Sequence, residues 1–204
     1  MTDDVTLVTS NDGKAREFTR LLGIEVTTTT MDLVEIQSLD VAAVAERKAA
    51  DAYAQLRRPV LVDDSGLALA AWNGLPGALI ACFLDTVGVH GLLAMATGLT
   101  NRRATVTTAL GYADATGVHV VTGAVHGTLT TEPRGSNGFS YDTVFVPASG
   151  TQTFAEMPNE QKNEISPRRL ATDALRAHLG LADPPTPCQS SLSQAGEVQR
   201  APLT

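Results

Sequence analysis

Two periods take turns along this chain. Residues 5–9 form a β-branched apolar run, and polar Ser10-Asn11-Asp12-Gly13 follows. In KAREFTRLLG, next in line, Ala15, Phe18, Leu21 and Leu22 recur at helical spacing and Gly23 supplies the stop. Residues 24–30 read as a second strand. From Asp40, placed as N-cap, a helix is expected with Val41, Val44, Ala45, Ala49, Ala52, Tyr53 and Leu56 on one face. Val60, Leu61 and Val62 make a short buried strand that ends on Asp63 and Asp64. Asn73-Gly74 and Pro76-Gly77 are turn chemistry, and residues 78–87 and 89–96 predict two apolar helices parted by Gly88. Residues 103–114 and 118–129 are β-rich and partly alternating, with Gly117 between them as a hairpin turn. A last strand is expected at residues 144–146. The final helix has Ser166 as N-cap and Pro167 at its first position, with Leu170, Ala174, Leu175 and Leu179 as its buried face. Helices alternating with strands argue an α/β fold.

The chain has 204 residues, 43% apolar and 18% charged, enough for one domain with a sizeable core. That domain is expected over residues 1–181. The segment 182–204, rich in Pro, Ser and Gln and without periodicity, reads as a disordered tail. No apolar run approaches the ~20 residues of a membrane span, and residues 1–10 lack the pattern of a signal peptide. Two cysteines, Cys82 and Cys188, are too few for a disulfide framework, so a cytoplasmic setting is expected. A net charge of −7 argues against non-specific binding to nucleic acid.

Candidate chemistry centres on VLVDDSGLALAAWNGLPG. Two acids at the end of a buried strand are costly to desolvate unless a cation faces them. Hard cations such as Mg²⁺ take carboxylate oxygens and share them with substrate phosphates. An acidic capping turn is the plainer alternative. Lysine occurs only at Lys14, Lys48 and Lys162. Lys14 falls in the first turn of a helix, where a cation is disfavoured unless an anion offsets it, and free N–H groups there favour an anion. A plain capped helix fits the same residues. Lys48 reads as a solvated lysine, and Glu35, flanked by apolar neighbours, as a strand-end carboxylate. His119 and His126, an odd number of residues apart on one strand, face opposite ways and cannot share a metal. The loop at residues 132–142 presents Phe139 and Tyr141, suited to stacking on a base or to packing on the loop itself. Arg168 and Arg169 open the final helix against its dipole, which calls for a ligand or a carboxylate opposite them.

Five stretches in order, TSNDGKAREF, VDDSGLALAAWNGLPG, PRGSNGFSYD, TFAEM and KNEISPRR, resemble the inosine/xanthosine triphosphate pyrophosphatase (ITPase) family. They span nearly the whole chain without its tail. The resemblance implies an elongated two-lobed α/β fold with a long mixed sheet, a cleft between the lobes, and a homodimer. It implies Mg²⁺-dependent hydrolysis of non-canonical purine triphosphates (ITP, dITP, XTP) to the monophosphate and pyrophosphate. Carried over by motif, Thr9, Ser10, Asn11, Asp12, Gly13 and Lys14 would cradle the triphosphate and Lys48 would reach it. Glu35 and Asp64 would hold the metal, with Asp64 the general base and Asp63 its neighbour. Ser65 would touch substrate. Phe139, Ser140, Tyr141 and Asp142 would hold base and sugar, with Lys162 and Arg168 completing that pocket.

Three departures touch the base side only. Where the family reads Ser-His-Arg, this chain has Ser166-Pro167-Arg168, and the family histidine helps recognise the 6-oxo group. Ser140 and Thr143 replace the glycine and proline of GFGYDP. After the Pro76-Gly77 turn, ALIACFLDTVG is closer to the eukaryotic branch. Two alternatives follow: a specialised relative that hydrolyses another nucleotide, and a nucleotide-binding protein without catalysis.

Overall fold

The computed structural model describes residues 5–9 and 12–181, apart from the side chains of residues 12, 13 and 15. The expected tail, 182–204, lies outside them, as do Ser10 and Asn11. Strand β1 (Val5–Val8) leads to helix α1 (Asp12–Leu22), then strand β2 (Val26–Thr29) and helix α2 (Val41–Leu56). Strands β3 (Val60–Leu69) and β4 (Pro76–Gly77) precede helix α3 (Ile80–Met95). The hairpin β5 (Arg103–Asp114) and β6 (Gly117–Leu129), strand β7 (Phe145–Pro147), and helices α4 (Asn159–Ile165) and α5 (Pro167–Leu179) complete the chain.

One mixed sheet runs β2-β1-β3-β5-β6-β7, with β4 pairing on β3. The β1–β2 and β1–β3 pairs are parallel; β5, β6 and β7 add antiparallel. Helices cover both faces, as the expected α/β class requires. On one face Val41, Ala45, Ala49 and Ala52 of α2 pack on Val60, Val62, Ala109 and Ala113. On the other, Phe18 and Leu22 of α1 and Ala171 and Leu175 of α5 pack on Leu7, Leu61 and Leu110. A third cluster gathers Leu67 and Leu69 with Leu92 of α3, Phe145 and Phe154.

Local signals account for most boundaries. Asp40 accepts from Ala42 N–H at 2.9 Å, and Ser166 accepts from Arg169 N–H at 3.1 Å, so both caps stand where expected. Gly88 leaves the helical region at φ 68°, so α3 is two apolar pieces, as its glycine suggested.

Two expectations need correction. The strand at Val60 does not stop at the acids: it continues through them to Leu69, because β5 pairs with it along its whole length, Val60↔Ala113 to Leu69↔Ala104. The buried face of α5 is Pro167, Ala171, Thr172, Leu175 and Arg176, while Leu170 and Ala174 are exposed. Arg176 is inside because its guanidinium donates to the carbonyls of Leu21 and Leu22 at the end of α1, a polar anchor that an apolar count overlooks. The loop at Phe139 contains a 3₁₀ turn, Ser140–Thr143.

Two glycines let the helices sit close. A Cβ on Gly111 would lie 2.5 Å from the Ala45 carbonyl of α2, and one on Gly123 would lie 2.1 Å from the Pro167 carbonyl of α5. Gly123→Ala therefore forces α5 off the sheet. It is expected to cost about 1–3 kcal/mol, an overpacking magnitude, read as a lower urea midpoint; an unchanged midpoint would mean that α5 shifts freely.

Candidate active site

Side chains on a strand alternate between faces, and β3 applies this rule to its two acids. Val60 and Val62 face α2, whereas Leu61 faces α1 and α5. Asp64 therefore shares the α2 side and Asp63 the α1/α5 side. Adjacent in sequence, the carboxylates lie on opposite faces and find different cations.

Asp63 is the more enclosed, its side chain 3% exposed. Lys14 Nζ donates to its Oδ1 at 2.9 Å and Arg168 Nη2 to its Oδ2 at 3.1 Å. Burial alone would raise this carboxyl, but Lys14 and then Arg168 outweigh it and hold the group below the usual aspartate range. Arg168 Nη1 also donates to Glu17 Oε2 at 3.2 Å, tying α5 to α1. Arg168 thus meets the carboxylates that its place in the first helical turn called for, and Arg169 meets Asp173 at 2.9 Å.

On the other face, Lys48 donates to Glu35 Oε1 at 2.6 Å and to Asp64 Oδ1 at 3.3 Å. It is not the solvated lysine its sequence position suggested, because α2 lies along β3 and turns Lys48 toward Asp64. The Asp64 side chain is 17% exposed, and burial pushes its carboxyl up to about 6 against the opposing pull of Lys48. Burial would lower Lys48, but Glu35 and Asp64 more than offset it and raise its pKa. Glu35 is 67% exposed at its side chain.

A third group stands beside Arg168. Asp142 Oδ2 accepts from Phe139 N–H at 2.7 Å and from Lys162 Nζ at 2.5 Å, which fixes the Phe139 loop to α4. Phe139 is 60% exposed; Lys162 Nζ lies 5.0 Å from its ring centre and the Arg168 guanidinium carbon 5.9 Å. Ser140 adopts φ 58°, which turns the chain into the 3₁₀ segment. Tyr141 is buried, and desolvation, with the Asp142 charge second, keeps its phenol protonated. Ser65 and Thr108, direct partners across β3 and β5, share a 2.9 Å hydrogen bond. A small cavity touches Ser65, Thr108, Tyr141, Asp142, Lys162 and Arg168, so the Asp63 group and the Phe139 group are continuous.

The sheet opens where the acids lie. On the edge of β3 away from β5, β1 pairs as far as Leu61 and β4 begins at Leu67. Among the described residues no strand covers β3 between them. Thr9 follows the end of β1 at this opening and Lys14 stands in the first turn of α1, where the backbone of Asp12 and Gly13 begins the helix. Ligands of open α/β sheets bind outside the carboxyl ends of strands at such places. Among the described residues no three His, Cys, Asp or Glu side chains cluster as a ready-made metal cage. Two carboxylates that one ammonium can touch do suit a hard cation that completes its shell with water and phosphate.

A model of the Ham1 family matches residues 5–178. The chain belongs to the Ham1 family. Inosine triphosphate pyrophosphatase 2 of Trypanosoma cruzi is 42% identical over 181 residues, 87% of this chain and 92% of that protein. A dITP/XTP pyrophosphatase of Hyperthermus butylicus is 38% identical over 184 residues, 89% and 97% of the two chains. The Ham1 protein structure from Staphylococcus aureus superposes with a TM-score of 0.80 at 29% identity, covering 87% of this chain and 98% of that one.

In this Ham1 chain the site holds two residues that the sequence reading passed over. Glu17 was legible as the residue one helical turn after Lys14. Thr108 carried no signal, since only the β3–β5 register sets it opposite Ser65.

Among the described residues, Asp63→Asn leaves Arg168 with one carboxylate and Lys14 with none, so a stability loss of about 3 kcal/mol is expected, as for a broken buried ion pair. Because the folded-state pKa of Asp63 is depressed, its contribution is present above the ordinary aspartate range and lost as pH falls through the folded value. Urea unfolding against pH checks both; equal acid sensitivity in wild type and variant would contradict the assignment. Carboxyl NMR of the metal-free protein should show Asp64 titrating at about 6, and a midpoint in the ordinary aspartate range would overturn the burial argument.

Proposed function

We propose that this chain hydrolyses non-canonical purine nucleoside triphosphates such as ITP, dITP and XTP to the monophosphate and pyrophosphate. The observation that carries the reading is the opening along β3, with a charge-paired carboxylate on each face and the Phe139 wall beside Arg168. The names of the relatives point the same way. Lys14, with Thr9 and the backbone turning into α1, binds the phosphates; Ser10 and Asn11 belong to the same segment. Asp64 accepts a proton from water attacking the α-phosphorus, which its raised pKa suits. Lys48 remains charged next to it and offsets negative charge moving onto the departing pyrophosphate.

Glu35 and Asp64 would hold a divalent cation, Mg²⁺ in our reading, which when bound neutralises phosphate oxygens. Asp63, with both oxygens taken, positions Lys14 and Arg168 and does not itself receive the proton. Phe139 stacks on the base, Lys162 and Arg168 flank it, and Ser65, Ser140, Tyr141 and Asp142 shape the floor beneath the sugar. No helix among the described residues is long and apolar enough to cross a membrane. We place the protein in the cytoplasm as a homodimer, with Val87 and Met95 of α3, both exposed, at the contact between copies.

Asp64→Asn is expected to lower kcat for ITP by about 10²–10⁴, the range of general-base loss, read by pyrophosphate release with Mg²⁺. Near-normal turnover would remove Asp64 from the mechanism. Equal cleavage of ATP and ITP would sink the non-canonical specificity.

A further inference from the structure

A cavity of ≈ 440 Å³ opens beside Phe139 between α1 and α4, with Arg16, Glu17, Arg20, Lys162 and Arg168 among its lining residues. It is large enough for a purine ring laid on Phe139. Its charges do not balance. Lys162 is neutralised by Asp142, and Arg168 by Asp63 and Glu17. Glu17 is the one acid in the lining, and its carboxylate is engaged by Arg168. From α4 the lining takes the amides of Asn159 and Asn163, not the acids Glu160 and Glu164.

Arg16 and Arg20 remain, without an ion pair among the described residues, one turn apart on α1. Like charges at that spacing weigh against a helix, and this pair occurs in a chain whose net charge is −7. Arg168 also keeps a buried Nε without an acceptor among the described residues. Between Ser166 and Arg168, Pro167 brings no side-chain donor at all. Beside the neutral groups of Asn159, Asn163 and Ser166, the cavity thus carries surplus positive charge.

We infer that the cavity takes a purine base that carries a negative charge, with Arg16 and Arg20 as specificity-determining residues. This rests on the pyrophosphatase reading and narrows it: a dioxopurine such as xanthine loses a ring proton near neutral pH, whereas hypoxanthine stays neutral. XTP is therefore preferred over ITP. Both arginines are exposed and line the cavity beside Phe139, so they act on the base and not on bond cleavage.

The test uses the products, so that it does not depend on turnover. Calorimetric affinities for XMP and IMP are measured for the full chain, for R16Q/R20Q, and for R58Q as a control for total charge. Wild type should favour XMP, and the double variant should lose about tenfold of that preference, the worth of a charge-assisted contact. R58Q should leave the preference unchanged. Lowering the pH until xanthine is neutral should shrink the wild-type preference and leave that of the double variant nearly flat. Parallel loss of XMP and IMP binding in R16Q/R20Q, or a wild-type preference indifferent to pH, would overturn the proposal. An XMP preference that depends on Arg16 and Arg20 in a chain without hydrolysis would uphold it while the catalytic reading fell.

Discussion

Two neighbouring carboxylates on one strand, each largely buried and each tied to different cations, are the constraint from which the site is built. An aspartate buried alone would shed its charge. Asp63 keeps its charge because α1 delivers Lys14 and α5 delivers Arg168 to its two oxygens. Asp64 keeps only a weak hold on its charge, because burial outweighs the pull of Lys48, its one close cation among the described residues, which Glu35 shares. The same residue type thus serves two purposes, a fixed anchor on one face and a proton acceptor on the other in the proposed reaction. The pleat of β3 is what separates them.

The helices that carry these cations are held to each other as well as to the sheet. Glu17 joins α1 to Arg168 near the site, and Arg176 joins α5 to the carbonyls at the far end of α1. Gly123 then lets α5 approach β6 closely enough for Arg168 to reach Asp63. Such bracing matters for catalysis because preorganised charges lower a barrier without reorganising at the moment of reaction. The Phe139 side is organised differently. There a buried acid, Asp142, holds an exposed ring and an ammonium side by side, leaving the ring face open. In the proposed reaction, a firm phosphate end and a more open base end suit an enzyme that treats its phosphates uniformly and sorts its substrates by base.

The chemistry proposed for the site was readable in the chain wherever residue type and order were enough. Asp63 and Asp64 stood out at the end of an apolar run, Lys14, Lys48 and Lys162 because lysine occurs only three times, and the five motifs arranged them along the chain. The caps at Asp40 and Ser166, the break at Gly88 and the hairpin at Gly117 were equally local, since each follows from one residue's own backbone preference. Errors arose where a residue answered to a distant partner. Lys48 was read as solvated because the acid it meets lies sixteen residues on. The face of α5 was misplaced because Arg176 is buried by carbonyls of another helix.

By itself, then, the sequence determined the fold class and the family and supplied the list of candidate side chains, all from composition, period and motif order. Only the tertiary structure decided which acid meets which cation, that Asp63 is closed and Asp64 part-open, and that Arg16 and Arg20 have no ion pair among the described residues beside Phe139. The reason is physical. Strand pairing and helix docking set distances between residues far apart in the chain, and pairing and burial, not residue identity, determine how strongly a charge is held.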